Sequence, residues 1–503
     1  MDLLNNNNKR DQISQLPRGQ GLTSLLVKNT LWLLIDRAIL SIGTGIAGLL
    51  LVRSLGPSNY GVYALAISTG SMVAALTDLG LRLFLVRNVA AAPQKANSYL
   101  SSGLLIKLMQ LFLTVTLTSL VVPHLSRDAN MNSALVAGIA FGVFLNIADL
   151  TASFFLGSMK PKLILLGRLV GRLGTIMIIA LTIIFRLSVP TLLIFLCLLQ
   201  VLVIILRITQ LRLAFGIKIS IPNYKTTIAT FREAISFYLY ELTYIAYVQA
   251  GFITLGIVSG KEAVGTYGAA FALVVLFPSL VYAGIDALIP VMTHLYEDKR
   301  WQEMILLRAQ ILETILLFSI PVVIVLGIYS NKIVTIFGKS FANIPVSGVL
   351  SLLAIHACLG PLEGLLGGAF LTATNQLMNR AKQRIVAVIV LLSLSCSLGW
   401  IWGAKGTAVA MVLADTVLLI GYARVSKAIG FPIKVSNSAY LIFVAAILML
   451  CFALLFSGWL DPALSVIAAI IIYAGFLFIT CRALLVRTFE FFASALLPHK
   501  LRV

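Results

Sequence analysis

The chain alternates long apolar stretches with short polar loops over almost its whole length. Each stretch approaches the ~20 residues that an α-helix needs to cross a bilayer. The pattern predicts an all-α polytopic membrane protein with no separate soluble domain. Fourteen transmembrane helices are predicted, near residues 30–52, 63–80, 100–122, 133–155, 163–185, 189–210, 234–258, 267–291, 306–328, 345–372, 385–402, 406–424, 438–456 and 462–483.

The polar loops alternate in their content of lysine and arginine. Loops on the side of the N-terminus carry 26 of these residues, and loops on the other side carry seven. Because cytoplasmic loops are enriched in Lys and Arg, both termini are predicted to be cytoplasmic. This distribution accounts for most of the formal net charge of +20. Nucleic-acid binding is therefore not predicted, although it also leaves a basic footprint.

One short motif occurs twice, at corresponding places in the chain. Gly56-Pro-Ser-Asn-Tyr-Gly-Val-Tyr63 precedes the second predicted helix, and Gly260-Lys-Glu-Ala-Val-Gly-Thr-Tyr267 precedes the eighth. Both copies read G-x4-G-x-Y, with an offset of 204 residues. The glycines suit a tight turn with positive φ, and the tyrosines suit the membrane interface. Six helices separate the copies, so the motif predicts a parallel repeat of two six-helix lobes, as in transporters that bind substrate between their halves.

The repeat gives a predicted domain organisation for the chain. It comprises a disordered cytoplasmic tail (1–29), a first lobe (30–210), a cytoplasmic inter-lobe loop (211–233), a second lobe (234–424), two further helices (438–483) and a cytoplasmic tail (484–503).

Ionisable residues occur inside the predicted helices, where each costs about 2.5–3.5 kcal/mol on insertion scales and usually faces a cavity or a partner. The first lobe carries the bases Arg37, Lys107, Arg168 and Arg172 and the acids Asp36, Asp78 and Asp149. The second lobe carries the acids Glu241, Asp286, Glu313, Glu363 and Asp415, with Arg308 as its only base within a predicted helix.

Most of these charges are predicted to lie in the cytoplasmic half of the membrane. Arg37, Lys107 and Glu241 each lie seven residues into a helix that enters from the cytoplasm, a depth of roughly 10 Å. We expect Arg37, Arg172 and Glu241 to face a water-filled vestibule. Asp78 and Arg308 lie near helix ends, where we expect them to extend to the headgroups.

Arg168 and Arg172 are one turn apart, so they project from one face of a helix. Paired guanidinium groups match a pyrophosphate because their planar forks bind oxyanions through two hydrogen bonds. The alternative is charge pairing with Asp149 or Asp36 inside the lobe.

The repeat offset makes Arg37 and Glu241 equivalent positions with opposite charges. They either close a gate by attraction or divide substrate binding and cation coupling between them. Tyr240, Tyr244 and Tyr247 form a stripe beside Glu241 that either contacts sugars or packs in the core.

Several stretches are similar to a known family. They are Leu55-Gly-Pro-Ser-Asn-Tyr-Gly-Val-Tyr63, Asp78-Leu-Gly-Leu81, Val86-Arg87 and Thr335-Ile-Phe-Gly-Lys-Ser-Phe341. The chain resembles the Wzx-type oligosaccharide flippases, the polysaccharide exporter branch of the superfamily that also holds lipid II flippases and MATE multidrug exporters. The resemblance implies alternating-access transport of a polyprenyl-pyrophosphate-linked oligosaccharide to the outer leaflet for O-antigen, lipopolysaccharide or exopolysaccharide synthesis.

These considerations give a set of predicted site residues. Substrate binding is assigned to Arg37, Arg172, Arg168, Lys107 and Tyr244, and cation coupling to Glu241, Asp286, Glu363 and Asp149. No enzymatic activity, cofactor or metal is predicted, since no nucleotide-binding loop is encoded and the four histidines lack metal-ligand spacing. The resemblance implies a bacterial inner-membrane location, membrane lipids as partners, and contact with the glycan polymerase and glycosyltransferases of the same pathway.

Three alternatives stay open at the level of sequence. The acidic second lobe also suits a cation-coupled multidrug exporter, and the same fold serves lipid II flippases. A membrane-embedded glycan polymerase or ligase is disfavoured, because the predicted external loops are too short for the large loop that this class would be expected to carry.

Overall fold

The computed structural model describes residues 20–124, 128–158, 160, 162–217, 222–341, 344–433, 437–456 and 461–480, which are almost entirely helical and contain no strand. The α-helices of these residues are α1 Gln20–Asp78, α2 Leu81–Ala91, α3 Ala96–Val121, α4 Ala129–Gly157, α5 Lys162–Phe185, α6 Val189–Phe215, α7 Tyr224–Val274, α8 Leu276–Glu297, α9 Trp301–Ile328, α10 Ser330–Ile333, α11 Val346–Leu353, α12 His356–Glu363, α13 Leu371–Ala373, α14 Leu377–Trp402, α15 Ala404–Ala428, α16 Asn437–Phe456 and α17 Pro462–Thr480. The predicted all-α membrane fold is confirmed.

The helix lengths are compatible with fourteen membrane crossings. Eleven described segments are long and apolar enough to span a bilayer, and Leu464–Thr480 is a shorter apolar helix. The α1 helix has 59 residues and α7 has 51, more than twice the ~20 residues of a single crossing. Each of these two helices therefore accounts for more than one predicted span.

Both long helices bend at the first glycine of the repeated motif. Gly56 has φ 70° and ψ 174°, and Gly260 has φ 80° and ψ −178°, so the same extended, positive-φ conformation recurs in both copies. Glycine adopts it without a Cβ clash, and Pro57 suits a helix restart because the first helical N–H needs no intrahelical acceptor. The predicted positive φ is confirmed for the first glycine of each copy, whereas Gly61 and Gly265 are helical. We name the end of the bundle that contains Gly56 and Gly260 the kink end.

Other details of the sequence prediction need correction. Tyr267 does not lie at the surface but is buried against Phe252 and Phe271. The predicted loop 211–233 is much shorter, since α6 continues to Phe215 and α7 begins at Tyr224. The predicted tail 1–29 contains the start of α1 from Gln20, whereas its first 19 residues and the tail 484–503 lie outside the described residues.

The last two helices, α16 and α17, pack against the second lobe through α9. The Tyr473 hydroxyl donates to the Leu317 carbonyl oxygen at 3.0 Å, and the Tyr329 and Ser465 hydroxyls are 2.6 Å apart. These buried hydrogen bonds fix the C-terminal pair to a helix of the second lobe, because a polar group without a partner is costly in an apolar environment.

The outer surface of the bundle carries large apolar side chains. Examples are Phe112, Ile184 and Ile479, which are 76%, 70% and 83% exposed. In water such a surface would drive association, but in a bilayer these side chains meet lipid. Their distribution is therefore that of a membrane protein.

Candidate functional site

In the first lobe the structure pairs Lys107 of α3 with Asp78 at the end of α1. The Lys107 Nζ lies 2.6 Å from Asp78 Oδ1, and the two side chains are 1% and 6% exposed. The expectation that Asp78 extends to the headgroups is therefore wrong, because this buried ammonium partner compensates its charge. Lys107, a predicted substrate ligand, is enclosed in the lobe.

Arg168 and Arg172 occupy a more open position on α5. Arg168 Nη1 lies 3.9 Å from Asp149 Oδ1 of α4, and both side chains are about one quarter to one third exposed, at 24% and 31%. The predicted alternative of charge pairing with Asp149 is thus confirmed for Arg168. A partly exposed pair at this distance is weak, since water screens it, and it leaves the guanidinium accessible.

Arg172 lies one turn further along α5 and contacts α1. A Cβ added to Gly43 would be 3.2 Å from Arg172 Cδ, so the absence of a side chain at Gly43 makes room for the arginine stem. Arg172 remains partly exposed. The predicted partner Arg37 belongs to the same helix as Gly43, but its side chain lies outside the described part of the structure.

The second lobe contains a buried ion pair between α14 and α12. Arg384 Nη2 donates to Glu363 Oε1, and these side chains are only 3% and 9% exposed. The Arg384 guanidinium also lies over the Tyr244 ring of α7, 5.1 Å from its centroid, a cation–π arrangement. Glu363 and Tyr244, which were predicted to have different roles, thus both contact Arg384, which was not predicted as a site residue.

A second buried cluster lies nearby and centres on Asp415 of α15. Its Oδ1 accepts a 2.5 Å hydrogen bond from the Tyr247 hydroxyl, and its Oδ2 lies 2.7 Å from His356 Nδ1. The Phe271 ring stacks on the imidazole, with centroids 5.8 Å apart. Asp415 is 1% exposed. Both carboxylate oxygens therefore face hydrogen-bonding groups of the protein and not solvent.

The two clusters form one electrostatic unit across the second lobe. Tyr247 lies within electrostatic range of Glu363 and Arg384 as well as Asp415, and Tyr282 of α8 lies within range of the same three charges and of Tyr244. We call these residues the second-lobe network: Tyr244, Tyr247, Tyr282, His356, Glu363, Arg384 and Asp415.

Sequence reasoning missed Arg384 and His356. The predicted helix 385–402 leaves Arg384 and Arg380 in a cytoplasmic loop, yet both are buried on α14, at 2% and 7% exposure. Their i, i+4 spacing, continued by the apolar Ala387 and Leu391 on the same face, is the signal that identifies a helix. His356 was set aside because it lacks metal-ligand spacing, although a histidine also serves as a hydrogen-bond partner of a buried acid.

Arg308 also departs from its prediction. It is buried in α9, where Nη1 donates to Ser426 Oγ at 2.8 Å and Nη2 donates to the Pro432 carbonyl oxygen at 2.7 Å. Its guanidinium lies 4.4 Å from the Phe370 ring centroid. The expected extension to the headgroups is wrong, because Ser426 of α15 and the Phe431 and Pro432 carbonyl oxygens accept hydrogen bonds from the buried guanidinium.

Two of the predicted coupling residues are described only by their backbone. The side chains of Glu241 and Asp286 lie outside the described part of the structure, although their backbones belong to α7 and α8. Within the described ranges, no three His, Cys, Asp or Glu side chains are close enough together to hold a metal ion.

Comparison with known proteins adds a family and a fold. A family model described as polysaccharide biosynthesis protein matches residues 26–296. No curated protein shows a significant sequence match.

Solved structures resemble the chain at low sequence identity. The lipid II flippase MurJ in an inward closed conformation superposes with a TM-score of 0.69 at 14% identity, over 91% of this chain and 100% of that chain. An inward-facing multidrug resistance MATE family transporter of the MOP superfamily gives 0.62 at 14% identity, over 79% and 98%. A MOP superfamily transporter from Pyrococcus furiosus gives 0.58 at 12% identity, over 80% and 95%. At these identities the likeness establishes the fold.

Proposed function

Since the chain belongs to the polysaccharide biosynthesis protein family, we propose that it is a flippase for a polyprenyl-pyrophosphate-linked oligosaccharide. It moves this lipid from the cytoplasmic to the outer leaflet by alternating access. The observation that carries the proposal is the partly exposed pair of arginines on α5, Arg168 and Arg172, inside the family-matched region. A diphosphate needs such cationic partners in a membrane, where an isolated charge is costly.

The proposed division of labour follows the two lobes. Arg172 and Arg37 hold the pyrophosphate, and Arg168 exchanges Asp149 for the ligand when the lipid enters. Tyr244 is 49% exposed and has one ring face on Arg384, and its exposed part contacts a sugar of the substrate. Aromatic rings with a polar end suit ligands that combine apolar ring faces with hydroxyl groups. Lys107 acts indirectly by fixing α1 to α3.

Transport is driven, in this proposal, by protons acting on the second-lobe network. A hard cation is held by several oxygen ligands, whereas Asp415 and Glu363 are engaged by a hydroxyl, an imidazole and a guanidinium. Histidine is the side chain whose charge ordinarily changes between about pH 5 and 8. The described ionisable groups near His356 and Asp415 are Tyr247 and Tyr267 of α7, Tyr282 of α8 and Glu363 of α12. Arg384 of α14 joins this set through its ion pair with Glu363.

In this proposal Glu241 and Asp286 are further coupling residues. Glu241 is the repeat equivalent of Arg37, so a carboxylate that alternately meets and leaves this arginine gains and loses a proton. Asp149 contributes by releasing Arg168. The whole cycle needs no nucleotide.

We place the protein in a bacterial inner membrane with both termini in the cytoplasm, so the kink end faces outward. The charge distribution of the loops supports this orientation. Glycosyltransferases supply the substrate on the inner side, and a glycan polymerase receives it on the outer side. A cysteine at Lys405 should then react with an impermeant thiol reagent added to the outer side, and a cysteine at Lys225 should not.

A multidrug exporter is the second candidate, favoured by the likeness to a MATE transporter and by the acids of the second lobe. The contacts of these acids weigh against it, because Glu363 and Asp415 face Arg384 and His356 and are not open to a cationic drug. A lipid II flippase is a narrower form of the first proposal, since lipid II is itself a polyprenyl-pyrophosphate glycan.

The test is reconstitution of the protein in vesicles with a fluorescent polyprenyl-pyrophosphate oligosaccharide. We expect an imposed pH gradient to accelerate movement of the label between leaflets. Asp415→Asn and Glu241→Gln should bind the lipid but lose this acceleration, while Arg212→Ala, an exposed arginine at the end of α6, should behave as wild type. Gradient-driven efflux of ethidium without movement of the lipid would instead identify an exporter. If an Na⁺ gradient accelerated movement of the lipid and a pH gradient did not, only the assignment of protons as the coupling ion would be refuted.

A further inference from the structure

The two copies of the repeated motif touch each other with near two-fold symmetry. A Cβ on Gly61 would lie 1.7 Å from the Lys261 carbonyl oxygen, and a Cβ on Gly265 would lie 1.9 Å from the Pro57 carbonyl oxygen. Pro57 and Lys261 are equivalent under the 204-residue offset, as are Gly61 and Gly265. The same contact is therefore made in both directions, as in an isologous interface between two copies of one surface.

Any side chain at these two glycines would collide with backbone, so only glycine permits the observed approach of α1 and α7. Close backbone approach at small residues is a main source of helix association in membranes, where burial of apolar surface adds little. The packed layer continues one turn inward, where Gly268 lies against Tyr60 and Ala64. Tyr60 and Ala64 are 7% exposed and Val264 is fully buried. The contact therefore seals the kink end between the lobes.

An exposed ion pair spans the same junction. Lys261 Nζ lies 3.0 Å from Asp128 Oδ2, with side chains 43% and 41% exposed. Asp128 also caps α4, because its Oδ1 accepts hydrogen bonds from the backbone N–H groups of Asn130 and Met131. Lys261 belongs to the motif of the second lobe, and Asp128 precedes a helix of the first lobe. The pair thus joins the two lobes beside the glycine contact.

We propose that the two G-x4-G-x-Y motifs form a glycine clasp that closes the kink end, and that Lys261 and Asp128 act as its latch. The clasp is formed in this structure and separates when that end opens. Its two halves are the two copies of one motif, so they part as equivalent surfaces when the lobes rotate. The inference extends beyond the proposed function, since it holds for any cargo that leaves through the kink end.

The test measures access to the clasp in a cysteine-free protein held in nanodiscs. Ala64→Cys provides a buried reporter, and its reaction with a methanethiosulfonate reagent is compared with that of an exposed cysteine at Lys225. The closed clasp should make the reporter react far more slowly than the exposed cysteine. Gly61→Ala or Gly265→Ala should accelerate the reporter at least about tenfold, as expected when a close-packed contact is overfilled.

Two further variants complete the design. Gly284→Ala is the matched control, because a Cβ there meets no atom within 4 Å, and it should leave the rate unchanged. Asp128→Asn removes only the latch charge and should accelerate the reporter by about two- to fivefold, as for an exposed ion pair. Asp128→Asn therefore still tests the proposal if a variant of Gly61 or Gly265 does not fold. A reporter that reacts as fast as the exposed cysteine in the wild type, or folded clasp and latch variants with the wild-type rate, would overturn the proposal.

Discussion

Each lobe contains an ion pair between neighbouring helices that includes predicted site residues, and these two pairs differ in how far solvent reaches them. In the first lobe, Arg168 and Asp149 are 3.9 Å apart and 24% and 31% exposed. In the second lobe, Arg384 and Glu363 are in direct contact and 3% and 9% exposed. An exposed pair exchanges one partner for a ligand at little cost, whereas a buried pair cannot lose a partner without leaving an uncompensated charge.

This difference suits the two roles in the proposed function, namely substrate binding by the first lobe and proton coupling by the second. In the first lobe Arg168 and Arg172 are partly exposed, as the proposed binding of a phosphate group requires. The second lobe holds its charges in a closed set of hydrogen bonds, where a gain or loss of one proton changes several contacts at once. The Lys107–Asp78 pair of the first lobe is also buried. It joins α1 to α3, and we assign it a structural role and not a role in binding or switching.

The largest effect is expected at the accessible arginines. Arg172→Met keeps much of the stem that packs on Gly43 but removes the charge, and glycan export should fall about 10- to 100-fold if a charged hydrogen bond contributes ~1.5–3 kcal/mol. Adding Arg37→Ala should abolish export. Arg172→Lys should restore it only partly, because lysine lacks the planar fork. The measurement is surface glycan at equal protein abundance.

The matched control for this experiment is Arg212→Ala, which removes an exposed arginine at the end of α6. Full export by the double variant Arg37→Ala with Arg172→Met would assign both residues a purely structural role. It would also remove the distinction between the lobes on which the proposed function depends.

The second prediction concerns stability and tests the comparison directly. Glu363→Gln leaves the Arg384 guanidinium buried without its countercharge, which should lower the free energy of unfolding by about 3–5 kcal/mol. Asp149→Asn affects a partly exposed pair and should cost ~0–1 kcal/mol. Thermal unfolding in detergent should therefore show a large shift for the first variant and a small one for the second.

A double variant sharpens the same measurement. Glu363→Leu combined with Arg384→Met removes both buried charges, and it should recover much of the lost stability because apolar replacements of similar size fill the site. It should not recover gradient-driven transport. Equal shifts for Glu363→Gln and Asp149→Asn would show that the two pairs do not differ as their exposure indicates.

The sequence predicted the scaffold better than the charge network, for a physical reason. Helix spans and the glycine turns follow from local properties, namely apolar length and the positive φ of Gly56 and Gly260. Partners depend on which helices become neighbours. A count of basic residues in loops cannot separate an arginine in a loop from Arg384, which lies seven residues into α14 and is buried in the bundle. Position along a helix likewise predicted that Asp78 and Arg308 extend to the headgroups. This prediction was wrong because the buried partners of both residues belong to other helices and loops, which position along one helix does not reveal.

The smallest effect is expected at the ion pair that joins the lobes. Hydrogen bonds from Lys261 and from the backbone of Met131 and Asn130 hold the pKa of Asp128 below its ordinary value. Of these hydrogen bonds only the one from Lys261 joins the two lobes, so the closed clasp gains stability from the ionised carboxylate, in full above the ordinary pKa of about 3.9. That contribution is lost as the pH falls below this value and through the lowered pKa. Acid should thus favour separation of the clasp.

The Ala64→Cys reporter checks this expectation. Its reaction rate, divided by that of the exposed cysteine at Lys225 at each pH, should rise by no more than about fivefold between pH 6 and pH 3.5, because the pair is exposed and screened. Asp128→Asn should show the raised ratio already at pH 6 and lose most of the pH dependence. A rise of equal size in Asp128→Asn would assign the acid response to other carboxylates, such as those of the second-lobe network. The latch would then hold the lobes together without sensing pH, and proton control of the cycle would lie in the second lobe alone.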